Sequence, residues 1–389
     1  MRDIRASCLR VPQHPSPTSK SNRQRSIIRV YDWVLRLKRQ ILQFRYLLFL
    51  LALIGLTWVV LTRFASLQDI AAALSRGRWD WITCAIALDV LYFVLYAWLY
   101  EFGFKVVEVK SQASRLMPIV FASIFVNTVA PLGGAGGAAL FVDDAARHHQ
   151  SGARAAVGTV LVLLADLGTL VPFMIAGEGF LYSHGDLQLY DAIGGLVFLL
   201  FLGILTAAMI LARVRPGLLL RWMSRLQRAI NHVGGWFRHP NLISADWYER
   251  NAAELSQGAD AIVHHPKELG QTLFMGFLLH VINLLGLAAL FIAFQQPVDA
   301  GTLVAGFSLG IVFWVIGIIP AGTGIVESIM TLIFISRGIP NAAAVAITVA
   351  FRGLNFWLPL LVGLLLIPQM RTLLESGRSA RPVSKESEG

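Results

Sequence analysis

Apolar residues run along this chain in blocks of about 20, the length a helix needs to cross a hydrocarbon core roughly 30 Å thick. The blocks are Tyr46 to Thr62, Trp81 to Tyr100, Ala155 to Ala176, Ile193 to Arg213, Gly270 to Phe294 and Asn341 to Ile367. Each reads as a spanning helix. Two other apolar stretches break that pattern. Asn127 to Leu140 (NTVAPLGGAGGAAL) and Ile319 to Glu327 (IPAGTGIVE) set a proline and closely spaced glycines where a plain spanning helix would carry neither. In lipid, backbone that leaves the helix keeps unsatisfied N–H and C=O groups, so it survives only under other protein or along a polar cavity. Helix breaks at corresponding positions of two halves are the sequence pointer to the binding site of a transporter built from repeats.

Before the first block the pattern changes. Residues 1 to 25 are rich in Pro, Ser and Arg, a composition that does not bury a core. From Ile27 to Arg45, apolar Ile27, Tyr31, Val34, Leu35, Ile41 and Leu42 interleave with Arg29, Arg36, Lys38, Arg39 and Arg45. This predicts a basic segment, residues 1–45, lying on anionic headgroups, with a solvated basic helix as the plainer alternative. The charged region is too long for a cleaved signal peptide, so Tyr46 to Thr62 is read as a retained span.

Lys and Arg counts give the orientation. The basic N-terminal segment places the N-terminus in the cytoplasm. Residues 177 to 192 hold Glu178, Asp186 and Asp191 without Lys or Arg, and 295 to 300 hold only Asp299, so both belong outside. The 214–269 insert, with Arg215, Arg221, Arg225, Arg228, Arg238, Arg250 and Lys267, belongs inside and reads as surface helices. The exception is the short segment 63 to 80, which carries Arg63, Arg76 and Arg78 yet falls outside. Given these sides, residues 117–140 must enter and return on the cytoplasmic face and residues 301–338 on the outer face. Both are therefore expected as re-entrant hairpins reaching about the bilayer midplane. Trp81 to Gly270 and Pro131 to Pro320 are each separated by 189 residues, and Ala155 to Asn341 by 186, so span, hairpin, span recurs in inverted orientation. The predicted fold class is an all-α polytopic membrane protein, an inverted-repeat helical bundle with two re-entrant glycine-rich hairpins. The transmembrane domain occupies residues 46–370, followed by a cytoplasmic tail at 371–389.

Composition agrees. Of 389 residues 56% are hydrophobic and 14% charged, which excludes an ordinary soluble protein of this size. The excess of 33 Lys and Arg over 23 Asp and Glu clusters where orientation demands it, so it does not point to nucleic acid. Cys8 and Cys84 form no CxxC and no disulfide framework.

A charge at the centre of a spanning helix costs roughly 2.5–3.5 kcal/mol on insertion scales, so each one needs a partner or a use. Asp89, Asp166 and Arg352 fall near the middle of spans, and Glu327 follows the second glycine turn. By the repeat offset Asp166 corresponds approximately to Arg352 and Asp89 to His280. Asn127, Asn283 and Asn355 add hydrogen-bonding groups at similar depth. Structural ion pairs and helix-to-helix hydrogen bonds are the competing explanation for all of them. Three other features are discounted. Gly134, Gly136 and Ala139 fit G-x-G-x-x-A but lack the preceding strand of a dinucleotide site, and His148 with His149 and His264 with His265 lack metal-ligand spacing. No cofactor or metal is expected.

The two glycine motifs and the last span resemble the lysylphosphatidylglycerol synthase transmembrane-region family, also called flippase-like. The matching residues are Pro131, Gly133, Gly134, Gly136 and Gly137; Pro320, Gly322, Gly324 and Glu327; and Arg352, Pro359 and Gly363 in RGLNFWLPLLVG. The resemblance covers about residues 45 to 370. Two departures stand out: Asp166 is followed by Leu167 where the family often has Arg, and the soluble aminoacyl-transferase domain of the full synthases is expected to be absent. The resemblance implies a lipid transporter or flippase of the bacterial inner membrane, with both termini cytoplasmic. Its headgroup site would be formed by Asn127 and the motif residues above together with Arg352, the glycines bringing backbone N–H groups to a phosphate, Arg352 supplying positive charge, and Glu327 pairing with Arg352 or with a basic headgroup group. Asp89, Asp166, His280 and Asn355 are further intramembrane polar candidates. The partners expected are membrane lipids, with an oligomer left open. Rival readings are a membrane-embedded enzyme acting on a lipid or polyprenyl carrier, with Asp89, Asp166 and Glu327 as its acids, and a non-transporting accessory subunit.

Overall fold

Stretches of 26 to 32 apolar residues fold as five helices long and apolar enough to cross a membrane, at the five later spans expected from the sequence. In chain order the helices of the computed structural model are α1 (Trp79–Val106), α2 (Ala113–Val129), α3 (Ala135–Arg147), α4 (Gly152–Ser183), α5 (Leu189–Val214), α6 (Trp247–His264), α7 (Pro266–Ala293), α8 (Ala300–Ile316), α9 (Ile325–Ser336) and α10 (Asn341–Arg352). A π-helical turn, Gly353–Trp357, continues α10, and helix then runs on to Leu366. The structure describes residues 77–129, 135–215, 217–218, 221, 224–225, 227–228, 247–317, 322 and 324–366. The chain divides into units 1–63 and 64–389, and every described residue belongs to the second. The expectations for residues 1–45, Tyr46 to Thr62, Pro131, Gly133, Gly134, Pro320 and the tail 371–389 lie outside the described residues, as does most of the 214–246 region. The chain is an all-α polytopic membrane protein.

The first glycine stretch falls where α2 ends at Val129 and α3 begins at Ala135, and the second where α8 ends at Ile316 and α9 begins at Ile325. A long helix, a short pair and a long helix thus occur twice, as α1, α2/α3, α4 and as α7, α8/α9, α10. The packing repeats with them. In each half the two short helices pack on each other and the second of them packs on the long helix that follows, while α1 and α7 form the most extensive interface between the halves. Two buried clusters hold the bundle together, and each draws residues from both halves: Ile82, Leu170 and Met174 join the cluster centred on the second half, and Met275 and Leu279 join the cluster centred on the first. One gathers Leu99, Phe104, Leu116, Phe141 and Val162; the other gathers Phe291, Phe307, Phe334, Met330 and Ile347.

Lipid tails are as apolar as leucine, so these helices gain little by hiding apolar surface from lipid and depend on close van der Waals fit. Small residues supply it. A Cβ on Gly301 would run into the Phe180 ring, and one on Gly363 would run into the Phe121 carbonyl. Those contacts seat α8 against α4 and the final helix against α2.

Polar contacts sort the connecting segments into two ends of the bundle. At one end Glu108 pairs with Arg154 at 2.6 Å, Gln150 accepts from the Lys110 amide at 3.1 Å, and Arg115 pairs with Asp144 at 2.6 Å. The chain therefore leaves this end along α2 and comes back to it along α3. At the other end Arg337 pairs with Asp186 at 2.6 Å, and the Arg78 amide donates to the Ala293 carbonyl at 2.9 Å. Here Asp299 opens α8 and Arg337 closes α9. The two helix pairs open toward opposite ends.

Candidate functional site

The second break is built around Gly324. Its φ of +89° is a conformation that side-chain-bearing residues rarely adopt, and it lets the chain turn directly into α9. Gly322, at φ +60°, sits against the backbone of Trp314, where a Cβ would approach the Trp314 Cα to 3.2 Å. Glu327, three residues into the turn, reaches back so that its Oε2 accepts the Gly324 amide at 2.7 Å. Its Oε1 accepts from Arg352 Nε at 3.0 Å. One carboxylate thus caps the start of α9 and holds the guanidinium of α10. The Arg352 guanidinium also lies over the Phe356 ring, 4.4 Å from its centroid, one turn further along the same helix. The two side chains are 8% and 20% exposed, so the pair is largely withdrawn from solvent yet not sealed. The ion pair neutralises two charges that would each be costly alone at this depth.

The first break is made differently. Asn127, near the end of α2, accepts the Gly137 amide on its Oδ1 at 2.7 Å, and a Cβ on Gly137 would strike that same carboxamide. A neutral side chain from the preceding helix therefore caps α3. Gly136 is half-buried in the first turn of α3.

The amides of Gly137 and Gly324 thus donate within the chain, to Asn127 and to Glu327. The physical reason is the usual one at helix starts: the first-turn N–H groups lack intrahelical acceptors, and a short polar side chain satisfies them.

The remaining intramembrane polar residues fall into two further places. His280 Nε2 lies 2.8 Å from the Asp166 carbonyl and 3.6 Å from its carboxylate, with the imidazole edge-on to Phe173 and Phe307. The repeat offset set Asp166 beside Arg352 and Asp89 beside His280 as equivalent positions, but contact joins Asp166 to His280 across the two halves. Asp89 and Asn355 meet instead at a small cavity also lined by Asn283 and Gly286. Asn355 Nδ2 donates to the Phe351 carbonyl at 3.4 Å.

Sequence reasoning missed Phe356 and the π-helical turn. An aromatic four residues after an intramembrane arginine was the available signal for the first; a one-residue widening of the helix leaves no comparable mark.

Comparison with known proteins agrees with the fold. A UPF0104 membrane protein of Pyrococcus horikoshii is 24% identical over 339 residues, covering 84% of this chain and 98% of that protein. Another from Methanocaldococcus jannaschii is 21% identical over 332 residues, covering 83% and 91%. A third, from Methanothermobacter thermautotrophicus, is 20% identical over 312 residues, covering 77% and 88%. Residues 45–363 match the family described as the lysylphosphatidylglycerol synthase TM region, which takes in both glycine breaks, Glu327 and Arg352, and the chain belongs to that family.

Proposed function

We propose that this protein moves a phospholipid, or a related lipid with a phosphate-bearing headgroup, between the leaflets of a cytoplasmic membrane. The observation that carries the reading is the Arg352–Glu327–Gly324 arrangement: a guanidinium at an intramembrane helix break, held by an internal carboxylate and still partly exposed. A headgroup phosphate can take the place of Glu327 on Arg352, since guanidinium grips phosphate and carboxylate with the same planar fork. Without lipid, Glu327 keeps the charge neutralised. In this reading the pairs α2/α3 and α8/α9 are re-entrant hairpins, the end bearing Arg115 and Arg154 is cytoplasmic together with both termini, and the two halves form an inverted repeat. Rocking one half against the other exposes the site to each leaflet in turn. The chain makes and breaks no covalent bond.

The test is reconstitution in vesicles carrying a fluorescent phospholipid in both leaflets, followed by an impermeant quencher. The wild-type chain is expected to bring the inner pool out to the quencher, and Arg352→Ala to leave it protected. A folded wild-type protein that leaves the inner pool protected overturns the reading. Sidedness is checked separately in a cysteine-free background: single cysteines at positions 114 and 151 should both resist an external impermeant thiol reagent in intact cells, and labelling of one alone sinks the first hairpin.

A further inference from the structure

The geometry points to a monovalent-cation site at Asp89, distinct from the Arg352 site, in which a sodium ion or a proton neutralises the carboxylate between the two halves of the bundle. Asp89 lies in the interior of α1 and is 5% exposed. Both of its carboxylate oxygens are buried, and neither has a hydrogen-bond partner among the described residues. The carboxylate lines a cavity where α1 meets α7 and the π-helical turn, and Asn283 and Asn355 line it from those two neighbours. A Cβ on Gly286, also in the lining, would meet only the Leu88 Cβ, at 4.0 Å, so the absence of a side chain there leaves the space open.

A buried carboxylate without a partner is not tolerated as a bare charge; it is neutralised by a proton, a cation or a basic side chain. Among the described residues, the mid-helix ionisable groups of the neighbouring α4, α7 and α10 are paired. On α4 and α7, Asp166 and His280 hold each other. On α10, Arg352 pairs with Glu327. On α1 itself Tyr92 and Tyr96 follow Asp89 and stack on one another, and α2 presents Phe121 against Phe93. No described residue neutralises Asp89, which leaves this role to a small ligand. The chemistry of the lining selects its class. One carboxylate and two carboxamides offer hard oxygen donors with a single negative charge, which a monovalent cation balances and a divalent one overshoots. Asn355 uses its Nδ2 on the Phe351 carbonyl, so its oxygen is the atom left to face the cavity.

The position gives the site a consequence. Arg352 is the last residue of α10, and Asn355 lies within the π-helical turn that follows, so one helical segment carries both the cation lining and the guanidinium. Filling the cavity fastens that segment to α1 and α7. Cation binding is a property of the folded chain and does not depend on the lipid reading.

The test measures melting of the purified full-length chain in detergent, for wild type and Asp89→Asn, with sodium exchanged for a bulky organic cation at constant ionic strength and with pH varied without sodium. Asparagine keeps the shape and removes the charge, so the variant should fold and melt independently of the cation. A melting temperature that climbs with sodium in wild type and is flat in Asp89→Asn identifies the ion as sodium; Asn283→Ala should then shift the sodium midpoint upward. A melting temperature that ignores sodium but drops as pH rises, again in wild type alone, identifies it as a proton. If wild type and Asp89→Asn respond alike to both, there is no cation site at Asp89. Should Asp89→Asn fail to fold, a wild-type melting temperature indifferent to both sodium and pH is enough to overturn the proposal.

Discussion

The two helix breaks occupy corresponding places in the two halves, and they solve the same problem with different chemistry. At the first, Asn127 reaches across the break and caps α3 through the Gly137 amide, a neutral contact that ends where it starts. At the second, Glu327 caps its own helix and passes its remaining oxygen to Arg352. A capped helix start is all the fold requires, and the first half shows that a carboxamide suffices. The charge in the second half does more than close the turn, since Glu327 also takes the guanidinium that arrives from α10. At the second break Glu327 can reach back to the Gly324 amide because the chain turns at φ +89° immediately before α9.

The largest expected effect tests whether the charge is functional. Arg352→Ala and Glu327→Gln each leave a buried charge unpaired and should cost about 3–5 kcal/mol of stability, with transport lost. Joining the two changes should recover much of the stability and none of the transport, read by melting curves beside the vesicle assay. A double variant that transports would reduce the second break to the same structural role as the first. Arg352→Lys keeps the charge without the planar fork and should be partly active at most. The next effect concerns the backbone. Gly324→Val puts a branched residue at positive φ and should cost about 1–3 kcal/mol and abolish transport. If Gly324→Val transports normally, the left-handed turn is dispensable. Asn127→Ala, the counterpart in the first half, should cost about 1 kcal/mol, the ordinary value of a lost cap, and leave transport measurable. A loss matching that of Glu327→Gln would erase the contrast between the halves.

The smallest effect lies outside the spans, at the start of α8. Asp299 accepts from both the amide and the hydroxyl of Thr302, at 2.8 and 2.7 Å, and the Thr302 hydroxyl is the leading cause holding its carboxyl below the usual aspartate value. A group whose pKa is depressed by folding stabilises above its unfolded value and ceases to as pH falls through its folded one. Asp299→Ala should therefore cost about 1 kcal/mol near neutral pH. The gap from wild type should close in acid below the ordinary carboxylate range, as paired melting curves at the two pH values would show. In the first half the equivalent start, at α2, takes a more distant acceptor: the Ala113 amide donates to Glu101 of α1 at 2.7 Å. A pH-independent loss at Asp299 would mean that its cap acts through packing.

By itself the sequence determined the five described spans, the two breaks and their recurrence, because these are local matters. A run of about 20 apolar residues crosses lipid whatever its neighbours, and proline with clustered glycine interrupts a helix wherever it falls. It also singled out Glu327, Arg352, Asp89, Asp166 and His280, since any ionisable group inside a span stands out against an apolar background. The sequence offers Arg352 as one possible partner of Glu327, but which of these groups meet was decided by the tertiary structure. Glu327 and Arg352 are 25 residues apart and Asp166 and His280 are 114 apart, separations over which no spacing rule operates. The packing of α1 on α7 and the π-helical turn set whether a charge finds a partner. They brought Arg352 onto Glu327 and Phe356, gave His280 to Asp166, and left Asp89 facing a cavity with two asparagines, because a side chain's neighbours in a helical bundle are fixed by the rotation and depth of the helices around it.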